Sequence, residues 1–118
     1  MTLEEYTCEL FNCEINDLFI RTRKRNVVDA RRVCMSAMRK FTNLTYQKIG
    51  EYFYKPHDLV IHHTKVFENL CATDKDFRGK ANMVYSAIDE GRIDVPYGKA
   101  VKSIDCMDEE MIIYAELV

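Results

Sequence analysis

Arg21, Arg23, Lys24 and Arg25 fall within five residues, interrupted only by Thr22. Guanidinium and ammonium groups at this density suit one chemistry above others, the binding of polyanions. Arginine enters a narrow groove or forks onto phosphate, and lysine acts as a point charge. The surrounding charge is concentrated as well. Residues 1–20 hold five acids and no Lys or Arg, residues 21–66 hold eleven bases against three acids, and residues 67–118 hold six bases against eleven acids. A formal net charge of −2 thus conceals a basic middle, which predicts an electrostatic footprint for nucleic acid. Arg31, Arg32, Arg39, Lys40, Lys48 and Lys55 continue that basic stretch.

Other reactive side chains do not assemble into a catalytic pattern. His62 and His63 are adjacent, so on one helix they diverge by about 100° and do not share an ion. His57 stands apart from them, and no cysteine lies at a ligand spacing. Five cysteines (Cys8, Cys13, Cys34, Cys71, Cys106), with no Cys-x-x-Cys pair, predict reduced thiols in a cytosolic protein. Cys34 falls on an apolar helix face, as a core thiol would. The acids Asp89-Glu90 and Asp108-Glu109-Glu110 lack partner His or Lys clusters. No Gly-x-x-x-x-Gly-Lys-Ser/Thr loop occurs, so nucleotide binding is not expected. The expectation is a protein that is not an enzyme and takes no cofactor, metal or nucleotide. The acidic opening Met1-Thr2-Leu3-Glu4-Glu5 lacks a signal pattern, and no apolar run reaches the roughly 18 residues of a membrane span. A cytoplasmic chain that does not bind membranes follows.

Chain length and a hydrophobic fraction of 47% suit one domain with a modest packed core. Leu3, Tyr6, Leu10 and Phe11 predict an amphipathic helix over 2–12, and Ile15, Leu18 and Phe19 a shorter one. Val27, Ala30, Val33, Cys34, Ala37, Met38 and Phe41 keep three-and-four spacing through the most strongly patterned helix of the chain. Thr45 is a helix cap for residues 46–53, and after the connector Tyr54-Lys55-Pro56 a further helix starts near His57. These two helices with a tight joint form a helix-turn-helix candidate. A last helix spans 74–90, stopped by Gly91. From Arg92 the chain reads as extended and turning, with an acidic tail whose ending suits either helix or strand. The division predicted is a helical domain over 1–90 and a C-terminal extension over 91–118.

The middle of the chain resembles the C-terminal DNA-binding domain of DnaA, the bacterial chromosomal replication initiator. That family shows a basic loop, a long helix with an Arg-containing, Ala-Met-rich opening, and then Glu-Leu-Thr-Asn-x-Ser-Leu-x-Glu-Ile-Gly-x-x-Phe. Its recognition helix begins Arg-Asp-His-Thr-Thr-Val-x-His. The counterparts here are Arg21–Arg25, Ala30-Arg31-Arg32-Val33-Cys34-Met35, Thr42-Asn43-Leu44-Thr45-Tyr46-Gln47-Lys48-Ile49-Gly50-Glu51-Tyr52-Phe53, and Lys55-Pro56-His57-Asp58-Leu59-Val60-Ile61-His62. The likeness covers roughly residues 5–90, with one residue fewer in the turn.

The resemblance implies an all-α fold, a six-helix bundle with a Trp-repressor-like helix-turn-helix, and double-stranded DNA as partner. By position, Arg23 matches the loop arginine that enters the minor groove, flanked by Arg21 and Arg25. Arg31 matches a helix arginine near the DNA, Lys55 the arginine that opens the recognition helix, and His57 the histidine that contacts bases. Lys48 is expected on phosphate, and Asp58 at a base edge. Pro56-His57-Asp58-Leu59 departs from the family's Asp-His-Thr-Thr, losing both threonines. Leu59 offers only apolar contact, and Asp58 repels phosphate while able to accept from a cytosine amino group. The function implied is sequence-specific duplex binding tied to replication-origin recognition or its regulation, with a replication protein as a further possible partner. The alternatives are a transcriptional regulator, or a protein-interaction module on the same scaffold with degenerate DNA reading.

Overall fold

Short polar side chains cap three of the five α-helices in a computed structural model that describes residues 1–95. Thr2 and Glu5 close a reciprocal capping box on α1 (Leu3–Phe11). The Glu5 amide donates to Thr2 Oγ1 at 3.2 Å, and the Thr2 amide donates to Glu5 Oε1 at 2.9 Å. Asn12 turns left-handed at φ 60° to end the helix. Asn26 Nδ2 then donates to the carbonyls of Phe11 and Asn12 at 3.1 and 3.0 Å, supplying partners that a helix end lacks. Residues Ile15–Phe19 form a 3-10 helix. α2 (Arg25–Phe41), α3 (Tyr46–Phe53), α4 (His57–Thr73) and α5 (Lys75–Asp89) follow. Thr45 caps α3 by accepting from the Lys48 amide at 3.1 Å, and Asp74 caps α5 by accepting from Phe77 at 3.1 Å.

The expectation of six helices counted residues 15–19 as an ordinary short helix. The chain there takes only a tighter 3-10 helix, so the described residues hold five α-helices. α2 is the hub and packs against every other helical element. Its inner side contributes Val27, Ala30, Val33, Cys34, Met35, Ala37 and Met38, all nearly or wholly excluded from solvent. Leu3, Leu18, Ile49, Phe53, Val60 and Val84 meet them from the surrounding elements. A file of aromatic rings runs along α5: Phe11 and Phe77 at 6.0 Å, Phe77 and Phe67 at 5.6 Å, Phe67 and Tyr85 at 5.8 Å, Tyr85 and Phe41 at 5.1 Å. Tilted and offset ring pairs of this kind add modestly to what their buried area contributes.

Past Gly91, which takes φ 76°, the chain returns to the start of α1. The Leu3 amide donates to the Asp94 carbonyl at 2.8 Å, the Asp94 amide donates to the Met1 carbonyl at 3.0 Å, and Ile93 and Val95 are buried. The segment expected as an extension from residue 91 therefore begins inside the packed unit. Its remainder, 96–118, with Cys106 and the acids Asp108-Glu109-Glu110, lies outside the described residues.

The joint between α3 and α4 is tight because Gly50 permits it. The Lys55 amide donates to the Gly50 carbonyl at 2.8 Å, and a Cβ on Gly50 would stand 2.4 Å from the Lys55 carbonyl oxygen. Backbone meets that position, so no rotamer change relieves the clash. Gly50→Ala is expected to cost about 1–3 kcal/mol of stability, as overpacking of a closed site does. Gly79, inside α5 with nothing within 4 Å of its missing Cβ, is the control. Gly79→Ala should stabilise by roughly 0.5–1 kcal/mol through helix propensity alone. Thermal melts of the two variants should shift in opposite directions.

Candidate nucleic-acid interface

The basic loop is held from below by a buried cation. Arg31 lies on α2 and is 4% exposed. Its Nε donates to the Leu18 carbonyl at 2.9 Å, and its Nη2 donates to the carbonyls of Ile20 and Asp17 at 2.9 and 3.2 Å. Those acceptors close the 3-10 helix and start the loop, so one guanidinium fixes where Arg21 leaves the body of the protein. No carboxylate pairs with Arg31 among the described residues, and burial lowers its proton affinity. Its positive charge therefore stays unneutralised beneath the surface. Arg31, expected on the DNA, is placed instead to position the loop that presents Arg21 and Arg23.

Above it, Arg21 and Arg23 are exposed and make no hydrogen bond or ion pair among the described residues. The loop is shaped by Thr22, whose hydroxyl accepts from the Lys24 amide at 3.2 Å. Arg25 opens α2 and is partly committed, donating to Asp29 at 3.0 Å while its side chain remains 69% exposed. Lys55, in the turn before α4, joins this group. Partial burial and then the charges of Arg31 and Arg21 lower the pKa of its amine, and the edge-on contact of Phe19 with Tyr54, ring centroids 6.2 Å apart, places the turn beside the loop. Lys48 stands on the exposed side of α3, 4.0 Å from Glu51. On the first turn of α4, His57 Nε2 lies 3.2 Å from Asp58 Oδ1, both side chains largely exposed. These two expected base-edge groups thus meet each other. Leu59 is half-buried behind them.

A second network, not anticipated from the sequence, fastens α4 to α2. Asp29, itself buried, accepts from both Arg25 and Arg32 at 3.0 Å. Arg32 Nε in turn donates to His63 Nδ1 at 3.3 Å. Burial, then Arg32, with Arg31, His62 and Lys55 adding, pushes the His63 imidazole down to about 4. The neutral ring is what allows Nδ1 to accept. At the far end of α2, Arg39 donates to the Leu44 carbonyl at 3.1 Å and lies over the Tyr46 ring at 4.4 Å, serving the α2–α3 corner. Among the described residues, no group of three or more His, Cys, Asp or Glu is placed to hold a metal ion. No described helix is long and apolar enough to cross a membrane. Cys8, Cys34 and Cys71 are buried free thiols, with burial raising Cys8 to about 12 and Cys71 to about 11, so none is activated as a nucleophile.

A basic loop anchored on α2, beside a short helix, a glycine-dependent turn and a longer second helix, defines a helix-turn-helix domain with an accessory basic loop. The chain belongs to the bacterial dnaA protein helix-turn-helix family, whose model matches residues 2–66. It is 36% identical over 72 residues to the chromosomal replication initiator protein DnaA of Bacteroides fragilis (strain YCH46), covering 60% of this chain and 15% of that relative. The DnaA of Thermoanaerobacter sp. (strain X514) is 33% identical over 73 residues, covering 62% of this chain and 16% of the relative. That of Wolbachia sp. subsp. Brugia malayi (strain TRS) is 31% identical over 83 residues, covering 70% and 18%. The match thus spans less than a fifth of the length of these relatives.

Two outcomes follow from the anchoring groups. Arg31→Leu leaves the buried Leu18 carbonyl and the part-buried carbonyls of Asp17 and Ile20 without their donor, and an unmet buried acceptor costs about 1–3 kcal/mol. The variant should melt well below the parent, with faster amide exchange around residues 17–22. His63 produces a pH effect of defined sign. In the unfolded chain its imidazole takes a proton near pH 6.5, in the folded one only near 4. Between those values the unfolded state binds more protons, so the stability His63 confers is complete above pH 6.5 and falls as pH drops toward 4. His63→Asn keeps an acceptor but does not titrate, and chemical denaturation between pH 4 and 7 should show a shallower slope for it than for the parent.

Proposed function

We propose that the chain binds double-stranded DNA sequence-specifically, through its helix-turn-helix and basic loop together, in replication-origin recognition or its regulation. The observation that carries the reading is the basic loop, anchored by Arg31 and set beside the turn by Phe19 against Tyr54, with Arg21 and Arg23 exposed and making no hydrogen bond or ion pair among the described residues. Cations that are exposed, unpaired and backed by a charge in a low-dielectric interior attract a polyanion more strongly than the same groups in a solvated turn. Arg23 is assigned to the minor groove, Arg21 and Lys48 to phosphates, and the first turn of α4 to the major groove. That turn has no side-chain cap, so its leading amides are also free to meet a phosphate. Arg25 and Lys55 support the loop's approach to the strand. The relatives' name, chromosomal replication initiator, supports the link to replication.

A second reading, an interaction module with degenerate DNA reading, draws support from the His57–Asp58 pair, which withdraws two base-edge groups from a target. The two readings part on ionic strength. If four to six cations meet phosphates, log K for a duplex should fall against log salt with a slope of roughly −4 to −5. Arg23→Ala should lose about 1–3 kcal/mol on a selected site and less on random duplex, whereas Lys48→Ala should weaken both evenly and make the slope shallower by about one. Fluorescence anisotropy at three salt concentrations measures all of this. An affinity insensitive to salt would remove duplex binding in favour of the second reading.

A further inference from the structure

Tyr54 is the anomalous residue of the turn. It closes α3 at φ 59°, ψ 42°, the left-handed region that glycine occupies freely and a side chain occupies at a cost. Little packing compensates for it. The side chain is 79% exposed, and among the described residues its ring neighbour is Phe19, edge-on with centroids 6.2 Å apart. Its hydroxyl makes no hydrogen bond among the described residues. A bulky residue held in a strained backbone position with no burial in return points to a use outside the fold.

The location indicates the use. Phe19 is stacked on Phe53 at 5.4 Å and lies two residues before Arg21, while Lys55 follows Tyr54 directly and His57 opens α4 just beyond Pro56. Tyr54 therefore projects from the junction between the basic loop and the first turn of α4. If the loop enters a minor groove and α4 the adjacent major groove, the phosphodiester strand dividing the two grooves crosses this junction. Ile20, beside Phe19 in the chain and 51% exposed, adds a second uncovered apolar group there. We propose that Tyr54 seats this strand, its ring lying against a deoxyribose and its hydroxyl donating to a phosphate oxygen. The proposal rests on the duplex-binding reading above and adds a neutral contact to a face otherwise described by its charges.

Tyr54→Gly and Tyr54→Phe test it, each titrated with duplex DNA at several salt concentrations alongside the parent. Tyr54→Gly removes the positive-φ strain, so it should melt at or above the parent's temperature while binding duplex at least about tenfold more weakly. Tyr54→Phe keeps the ring and loses one hydrogen bond, for a loss of about fivefold. Both should retain the parent's salt slope, since no cation is removed. A duplex carrying a single neutral methylphosphonate at the contacted position should weaken the parent and leave Tyr54→Phe unaffected. If the parent binds duplex and either variant matches it at every salt concentration, the strand-seating role is overturned and duplex binding stands. A parent that binds no duplex even at low salt overturns both. Should Tyr54→Gly fold poorly, the isosteric Tyr54→Phe decides alone.

Discussion

The guanidinium of Arg31 is the constraint on which the functional face depends. A charged group taken out of water normally requires an opposite charge or a full set of hydrogen bonds. Here three main-chain carbonyls accept from Nε and Nη2, and no carboxylate cancels its charge among the described residues. Two results follow from that choice of partner. The 3-10 helix and loop are located relative to α2 by the same group, and the interior behind them stays positive. The lowered proton affinities of Lys55 and His63 both include Arg31 among their causes, so its field reaches the turn on one side and α4 on the other. A carboxylate partner would have held the loop equally well while weakening that field.

The turn between α3 and α4 depends on a different economy, that of space. Gly50 lets the Lys55 carbonyl come against α3, and Tyr54 supplies the left-handed residue that reverses the chain. A side chain at Gly50 would press against the start of α4, which cannot yield freely because it is also fixed to α2 by the Asp29–Arg32–His63 chain. Loop, turn and second helix are thus tied to one helix, α2, by polar contacts at its opening turns and apolar contacts along the rest. Relative placement of the three is set before any ligand arrives, which lowers the ordering cost of binding.

The helices were legible in the sequence because their apolar spacing and caps agree: Thr45 before Tyr46, Gly91 after the last helix, and the three-and-four pattern of α2. Arg31 was harder. Residue type places an arginine on the surface, yet Val27, Arg31, Cys34 and Met38 are spaced by four, three and four along the buried face, and that register was the available signal. The likeness to the family located the loop and the turn but carried Arg31 to the DNA along with its neighbours. His63 and Arg32 meet across 31 positions, and no local pattern announces such a contact. Tyr54 passed as connector because a turn residue carries no periodicity. Its conformation, visible only in three dimensions, is what distinguishes it. The 91–118 extension was separated by its change of character, which does not reveal that Ile93 and Val95 are covered.

The parallel pairing of Thr2 with Asp94 has a kinetic consequence. Among the contacts described it spans the longest stretch of chain, and closing so wide a loop is entropically unfavourable until the intervening helices have shortened the distance between its ends. Neighbouring helices pack through nearer contacts and can condense first. Topology thus predicts that the clasp forms after the rate-limiting step, with little share in the transition state. Interactions of that kind leave the folding rate almost untouched and slow the reverse reaction. The two hydrogen bonds and two buried side chains at 93–95 act as a latch on the lifetime of the folded state, leaving the route to it to the helices.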